Sequence, residues 1–280
     1  MKRTFAALAG SLALVLLACS SGASTSPASS AAASSPAASL SAAPPASLTI
    51  YAAASLKAAL AKVKTAYQAA NPGTTLTIST DASSALEVKI EQSAPADIFL
   101  SADTSNPQKL VDKGLTVGGA TKFAGNLLTV IVPASNPAGL QTPKDLARIG
   151  VKIIAAGDAV PITKYANVLV ANLAKEPGYP ADFAAKYTAN IASKEDNVSA
   201  VVAKIELGEG DAGIVYVTDA KTSTKVGTVT VPPTANVPAT YGGVVVKTSP
   251  SPAAAQAFVT WLAGPDGQAI LAGFGFLPPS

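Results

Sequence analysis

Four short stretches of the sequence place hydroxyls, small residues or an amide directly before an apolar periodic segment. They are Ala53-Ala54-Ser55, Asp81-Ala82-Ser83-Ser84, Ala159-Val160-Pro161-Ile162 and Asn197-Val198. Each reads as a turn from strand to helix. The first N–H groups of a helix have no intrahelical partner and lie at the positive end of its dipole. Such an end holds an anion without any lysine or arginine. Serine and asparagine also cap helices for stability alone, so each turn taken singly reads first as a cap. Tyr216, in Gly213-Ile214-Val215-Tyr216, adds a phenol; on the residues alone it reads as core with its hydroxyl at the surface.

The elements that must hold these turns follow from hydrophobic period. Leu48 to Ala52 reads as a buried strand, and Leu56, Leu60, Val63 and Tyr67 then form one helical face, closed by Asn71-Pro72-Gly73. Strands are predicted over Leu76–Ser79, Ala96–Leu100, Leu127–Val132, Val151–Ala155, Gly213–Val217, Val226–Val231 and Gly243–Val246. Helices are predicted from Ser83 through Leu86 and Ile90, and over Asn106–Lys113, Pro161–Ala174, Val198–Leu207, Ala253–Ala263 and Gln268–Ala272. This alternation argues for an α/β fold with largely parallel sheets, in which ligands bind beyond the carboxyl ends of the strands.

Composition removes most catalytic chemistry. The 280 residues include no histidine and one cysteine, Cys19. A disulfide, a Cys/His zinc site and a Ser-His-Asp triad are therefore excluded. No G-x-S-x-G elbow, S-x-x-K pair or phosphate-binding G-x-x-x-x-G-K-[ST] loop occurs. Without residues 1–18 the chain carries 18 basic against 17 acidic residues, too even a balance to form a basic field for nucleic acid. Among the carboxylates, Glu195-Asp196 reads as a solvated loop, since neighbours in sequence do not face each other. Asp97 and Asp103 flank a strand end and leave open a hard-cation site, hence a metal-dependent secreted enzyme.

The amino terminus has its own chemistry. Met1-Lys2-Arg3 precedes an apolar run from Phe5 to Ala18, too short to span a bilayer and built like an export signal. It ends in Leu16-Leu17-Ala18-Cys19, which resembles a bacterial lipobox. Residues 1–18 are thus expected to be a lipoprotein signal peptide, with Cys19 acylated. Of residues 20–46, 24 of 27 are Ser, Ala or Pro and none is charged; with the cysteine, residues 19–46 are expected to be a disordered tether. Attachment would be to the outer face of the cell membrane, in the periplasm if the envelope has two membranes.

A set of motifs runs in order along residues 47–280. It comprises Tyr51-Ala52-Ala53-Ala54-Ser55-Leu56, Ala82-Ser83-Ser84, the block from Ala94 to Asp103 (APADIFLSAD), Gly125-Asn126-Leu127, Gly157-Asp158-Ala159-Val160-Pro161, Glu195-Asp196-Asn197-Val198, Gly213-Ile214-Val215-Tyr216 and Phe274-Gly275-Phe276. In these the chain resembles the molybdate-binding protein of ABC importers. The resemblance implies a two-lobed periplasmic-binding-protein type II fold, with mixed, mostly parallel sheets and a hinge of crossover strands. Residues 47–126 and 232–280 would form lobe 1 and residues 127–231 lobe 2. Carried over by motif, Ser55 and Ser83 would bind the oxyanion through hydroxyl and N–H, Ile162 and Val198 through N–H, and Tyr216 through its hydroxyl. The resemblance further implies a non-enzymatic monomer without cofactor, which takes molybdate or tungstate and delivers it to a membrane permease. Sulfate or a small organic anion is the alternative ligand. Two departures stand out: Val160-Pro161-Ile162-Thr163, where relatives often have a small residue and then glycine, and Asp81, expected to face solvent.

Overall fold

The computed structural model describes residues 45–279; the expected signal peptide, Cys19 and nearly all of the tether lie outside the described residues. The described part begins with β1 (Ser47–Ala53), a turn of 3-10 helix at Ala54–Leu56 and α1 (Lys57–Ala70). The predicted face of α1 is the buried one, with Leu60, Val63 and Tyr67 pointing inward. There follow β2 (Thr75–Asp81), α2 (Ser83–Glu91), β3 (Ile98–Ser101), α3 (Ser105–Asp112), β4 (Thr116–Asn126), β5 (Leu128–Pro133), β6 (Ile153–Ala156) and α4 (Pro161–Leu173). The remainder is α5 (Phe183–Ala189), β7 (Ile191–Glu195), α6 (Val198–Glu206), β8 (Gly213–Tyr216), α7 (Val217–Lys221), β9 (Val226–Val229), β10 (Ala239–Val246), α8 (Pro252–Ala263) and α9 (Pro265–Gly273).

The strands form a five-stranded sheet in the order β2-β1-β3-β10-β4, a three-stranded sheet β8-β5-β9 and a pair β6-β7. β1 is parallel to both β2 and β3, with Ala53 beside Asp81 and Ala52 beside Leu100. Parallel strands in that register end at one edge, so the Ser55, Ser83 and Ala102 turns emerge side by side. β6 and β7 are also parallel. The ladders of β10 to β3 and β4, and of β5 to β8 and β9, are antiparallel. The α/β class with mixed sheets is the one expected, but the sheets are not mostly parallel: among the described strands four of the seven ladders are antiparallel. The late strand β10 inserts between β3 and β4 against their direction.

Among the described residues, β4, α5, β7, α7 and a 3-10 turn at Pro143–Ala147 escape the sequence reading. β4 carries Gly118 and Gly119 and leaves most of its first half exposed, and β7 alternates between partly buried and exposed positions. Neither shows the apolar run of a buried strand. α7 is five residues long, shorter than a helical period needs to declare itself.

The core is one large cluster across the sheets and helices, with a second, smaller one of Leu86, Ile90, Ala96, Phe99, Leu110, Val244 and Val246 where α2 and α3 cover the five-stranded sheet. Tyr67 on α1 meets Phe258 and Trp261 of α8 edge-on, with ring centroids 4.9 and 5.1 Å apart. Elsewhere in the core, α6 lies against β8 where Gly213 has no side chain. A Cβ there would sit 2.8 Å from a Val201 methyl and 3.0 Å from the Ile154 carbonyl oxygen. This close approach sets the position of α6, and hence of Val198 at its start. Gly213→Ala is expected to destabilise the protein by about 1–3 kcal/mol, as overpacking of a core does. Urea unfolding measures this, and unchanged stability would mean that α6 is free to shift.

Candidate functional site

All four predicted helix starts and Tyr216 meet at one cavity of about 10 Å³. Its walls are Ala53 to Ser55, Asp81 to Ser83, Ala102, Val160 to Ile162, Asn197, Val198 and Tyr216. Such a space holds the centre of one compact particle, of the order of a water or a small ion. Ser55, Ser83, Ile162, Val198 and Tyr216, the five residues singled out in the sequence, are all buried.

The local structure separates capping from other roles. Asn197 is an ordinary cap: its Oδ1 accepts from the N–H of Ala200, 3.1 Å away. The helix starts after Ala53, Ala82 and Val160 have no side-chain cap at all. Ser83 is the first residue of α2, and its hydroxyl oxygen accepts from the N–H of Ala102 at 3.0 Å, which leaves the hydroxyl proton to be donated elsewhere. Ser55 lies within the 3-10 turn and its Oγ is 2.9 Å from Tyr241 Oη. Ile162 follows Pro161 at the start of α4, where its N–H lacks an intrahelical partner by position. Thr163 turns away and donates to the Ala156 carbonyl at 3.0 Å.

Tyr216 is buried as expected, but its hydroxyl does not reach the surface. The Oη is buried without a hydrogen-bond partner, while the residue lines the cavity. An unsatisfied buried hydroxyl costs about 1–3 kcal/mol, a cost that an acceptor in the cavity would remove. Burial, with Tyr241 and Tyr165 nearby, pushes the phenol well above its ordinary value, so at neutral pH it remains a donor.

Asp81 corrects another expectation. It does not simply face solvent: its side chain is 31% exposed and lines the cavity. Its Oδ1 accepts from the Ala82 N–H at 2.8 Å and from Asn197 Nδ2 at 3.3 Å, and its Oδ2 from Lys89 Nζ at 3.2 Å. Partial burial pushes this carboxyl up, but the Ala82, Lys89 and Asn197 donors together hold it below its ordinary value. The charge is thereby drawn onto its own partners. Among the lining residues it is the only charged one, and no lysine or arginine joins it.

Asp97, Asp103 and Glu195, also singled out in the sequence, have structural partners. Asp97 accepts from the Thr49 N–H at 2.7 Å and from the Ser249 hydroxyl. Asp103 accepts from Ser101, Ser105 and both nitrogens of Asn106. Each is buried with its oxygens occupied, and among the described residues no three His, Cys, Asp or Glu side chains gather to hold a metal. Glu195 is not in a loop. It ends β7, where Ser193 and Lys204 contact it at 2.7 and 2.9 Å. Ala102 belongs to the block recognised in the sequence, whereas Tyr241 lies in no such motif.

Residues 48–277 match the family of bacterial extracellular solute-binding proteins. The chain belongs to that family. The molybdate-binding protein ModA of Mycobacterium tuberculosis is 32% identical over 234 residues, covering 83% of this chain and 85% of that protein. Two solved structures share the fold at lower identity. The sulfate-binding protein SubI of M. tuberculosis gives a TM-score of 0.74 at 23% identity, covering 83% of this chain and 86% of that one. The periplasmic molybdate-binding protein of Azotobacter vinelandii gives 0.71 at 22%, covering 83% of this chain and all of that one. Among the described residues of this solute-binding protein, no helix is long and apolar enough to cross a membrane.

One titrating group lies directly behind the site. Asp219 is buried and its Oδ2 accepts from the Tyr216 N–H at 3.2 Å. Burial pushes its carboxyl from 3.8 up to about 7, against the opposing effect of that N–H. A carboxyl group that holds its proton more tightly when folded favours folding least once ionised. Stability from this source is therefore greatest below about pH 4 and declines as pH rises to about 7. The thermal midpoint of the wild type is expected to fall between pH 5 and pH 8. Asp219→Asn, which keeps an acceptor for Tyr216 and does not titrate, should fall measurably less. Equal slopes in the two proteins would remove Asp219 as the source.

Proposed function

We propose that this chain is the solute-binding component of an ABC importer, that it captures molybdate, with tungstate as a second ligand, and that it has no catalytic role. The observation that carries the reading is the convergence of four helix starts and the unpartnered Tyr216 hydroxyl on a small cavity without lysine or arginine. A relative named for molybdate, at 32% identity over most of the chain, supports the same ligand. The cavity volume favours a compact ion over an organic anion.

In this reading residues 47–126 with 232–280 form one lobe and residues 127–231 the other, as a monomeric clamp. Ser55 and Ser83 face the ligand from the first lobe, and Ile162, Val198 and Tyr216 from the second. Contacts between the two segments suit a closed state: Asn197 donates to Asp81, and Lys164 on α4 lies 3.5 Å from Asp103 and 3.1 Å from the Ser105 hydroxyl. A hinge motion would open the clamp to admit ligand, and the closed form would dock on the permease. Neutral donors can hold a dianion because each hydrogen bond to a charged group is worth about 1.5–3 kcal/mol net. Donors spaced for molybdate cannot all reach the smaller sulfate, which sets the selectivity.

Calorimetric titration with molybdate, tungstate, sulfate and phosphate tests the ligand. Molybdate and tungstate are expected to bind and to outcompete sulfate; preferential binding of sulfate or phosphate would overturn the assignment. Ser55→Ala and Ser83→Ala should each weaken molybdate binding about tenfold or more, and unchanged affinity in both would remove these residues from the site. Anchoring is proposed through acylated Cys19. Cys19→Ala should release the protein from the membrane fraction of expressing cells, and its retention there would refute the anchor.

A further inference from the structure

We propose that Tyr241 is a positioning residue, whose phenol dictates the direction of the Ser55 hydroxyl proton so that Ser55 meets the ligand only as a donor. The proposal rests on the oxyanion reading above. Tyr241, on β10, is fully buried. Its ring is fixed from three sides, edge-on to Phe123 and Phe276 with centroids 6.1 and 5.5 Å apart, and tilted against Tyr216 at 5.6 Å. Its Oη lies 2.9 Å from Ser55 Oγ and 3.3 Å from Asn126 Nδ2.

The direction of each bond follows from what each group can do. The Leu127 N–H donates to Asn126 Oδ1 at 3.0 Å, which fixes the amide so that its nitrogen faces Thr218 and Tyr241. That nitrogen has two protons and only donates. One goes to Thr218 Oγ1 at 2.8 Å and the other to Tyr241 Oη. The phenol thus accepts from Asn126, and its own proton has Ser55 Oγ as acceptor. Ser55 in turn accepts from behind, and its proton is left for the cavity it lines. The chain runs Asn126 to Tyr241 to Ser55 to ligand, each link polarising the next.

Ser83 reaches the same state by another route. Its acceptor side is filled by the Ala102 backbone N–H, which no side-chain substitution removes. Both serines therefore present a hydroxyl proton to the cavity, and only the arrangement at Ser55 depends on a distant side chain. A site built this way favours an oxyanion free of protons, since each serine has a donor to offer.

Tyr241→Phe removes the hydroxyl and keeps the ring. A double-mutant cycle with Ser55→Ala, read by calorimetric titration of the full folded protein with molybdate, isolates the coupling. Tyr241→Phe is expected to weaken binding roughly threefold to tenfold in the wild-type background. In the Ser55→Ala background it should change affinity by less than about twofold. A merely structural role would lower the thermal midpoint and weaken binding equally in both backgrounds; that additive result overturns the proposal, as does wild-type affinity in Tyr241→Phe. If the wild type binds none of the four anions, the functional reading fails separately. The Tyr241–Ser55 bond is then read without ligand, from the exchange rate of the Tyr241 hydroxyl proton by NMR. Ser55→Ala should accelerate that exchange, and an unchanged rate would refute the bond.

Discussion

Removing a doubly charged ion from water is very costly unless hydrogen bonds replace its hydration shell. A cavity without lysine or arginine has only dipoles with which to do so. Dipoles compensate fully only if they already point the right way, because turning them costs part of what they return. Helix starts supply such groups ready-made: the helix itself fixes its first N–H groups and deprives them of partners. The burden thus moves from side chains to the fold, which must bring several helices to begin at one point. The shared edge of β1, β2 and β3 delivers the turns of Ser55, Ser83 and Ala102 together, and the starts of α4 and α6 with the end of β8 close the other side.

The same logic explains what stands behind the cavity. A hydroxyl can donate or accept, so a serine beside an anion is useful only when its acceptor role is already taken. The Ala102 N–H takes that role for Ser83, and in the arrangement proposed above Tyr241 takes it for Ser55. Asp81 poses the opposite problem, a carboxylate in the wall of the cavity proposed to take negative charge. Its three donors spread its charge among near neighbours, and one of them, Asn197, also caps α6. The carboxylate therefore joins two of the helix starts.

Much of this was legible in the sequence, for identifiable reasons. The four turns could be found because a helix start needs only local signals, and the face of α1 because apolar spacing reports burial directly. β4 and β7 were hidden because strands that are half exposed lack an apolar run. The pairing of Ser55 with Tyr241 spans 186 positions, and nothing local marks either residue as the other's partner. Tyr216 shows the limit from the other side. Its apolar neighbours reveal that it is buried, but whether its hydroxyl finds a partner depends on groups brought from elsewhere in the chain.

The place of β10 in the five-stranded sheet has a consequence for how the molecule is made. This strand lies between β3 and β4, yet follows both by more than a hundred residues. Until residue 246 has been synthesised, β3 and β4 have no strand to join them, and Phe123 and Ser55 lack Tyr241. Contacts that span so much chain form slowly, because a long loop must close before they give any return. The first half of the polypeptide therefore emerges unable to complete its own sheet, and the facing edges of β3 and β4 stay unpaired until β10 follows.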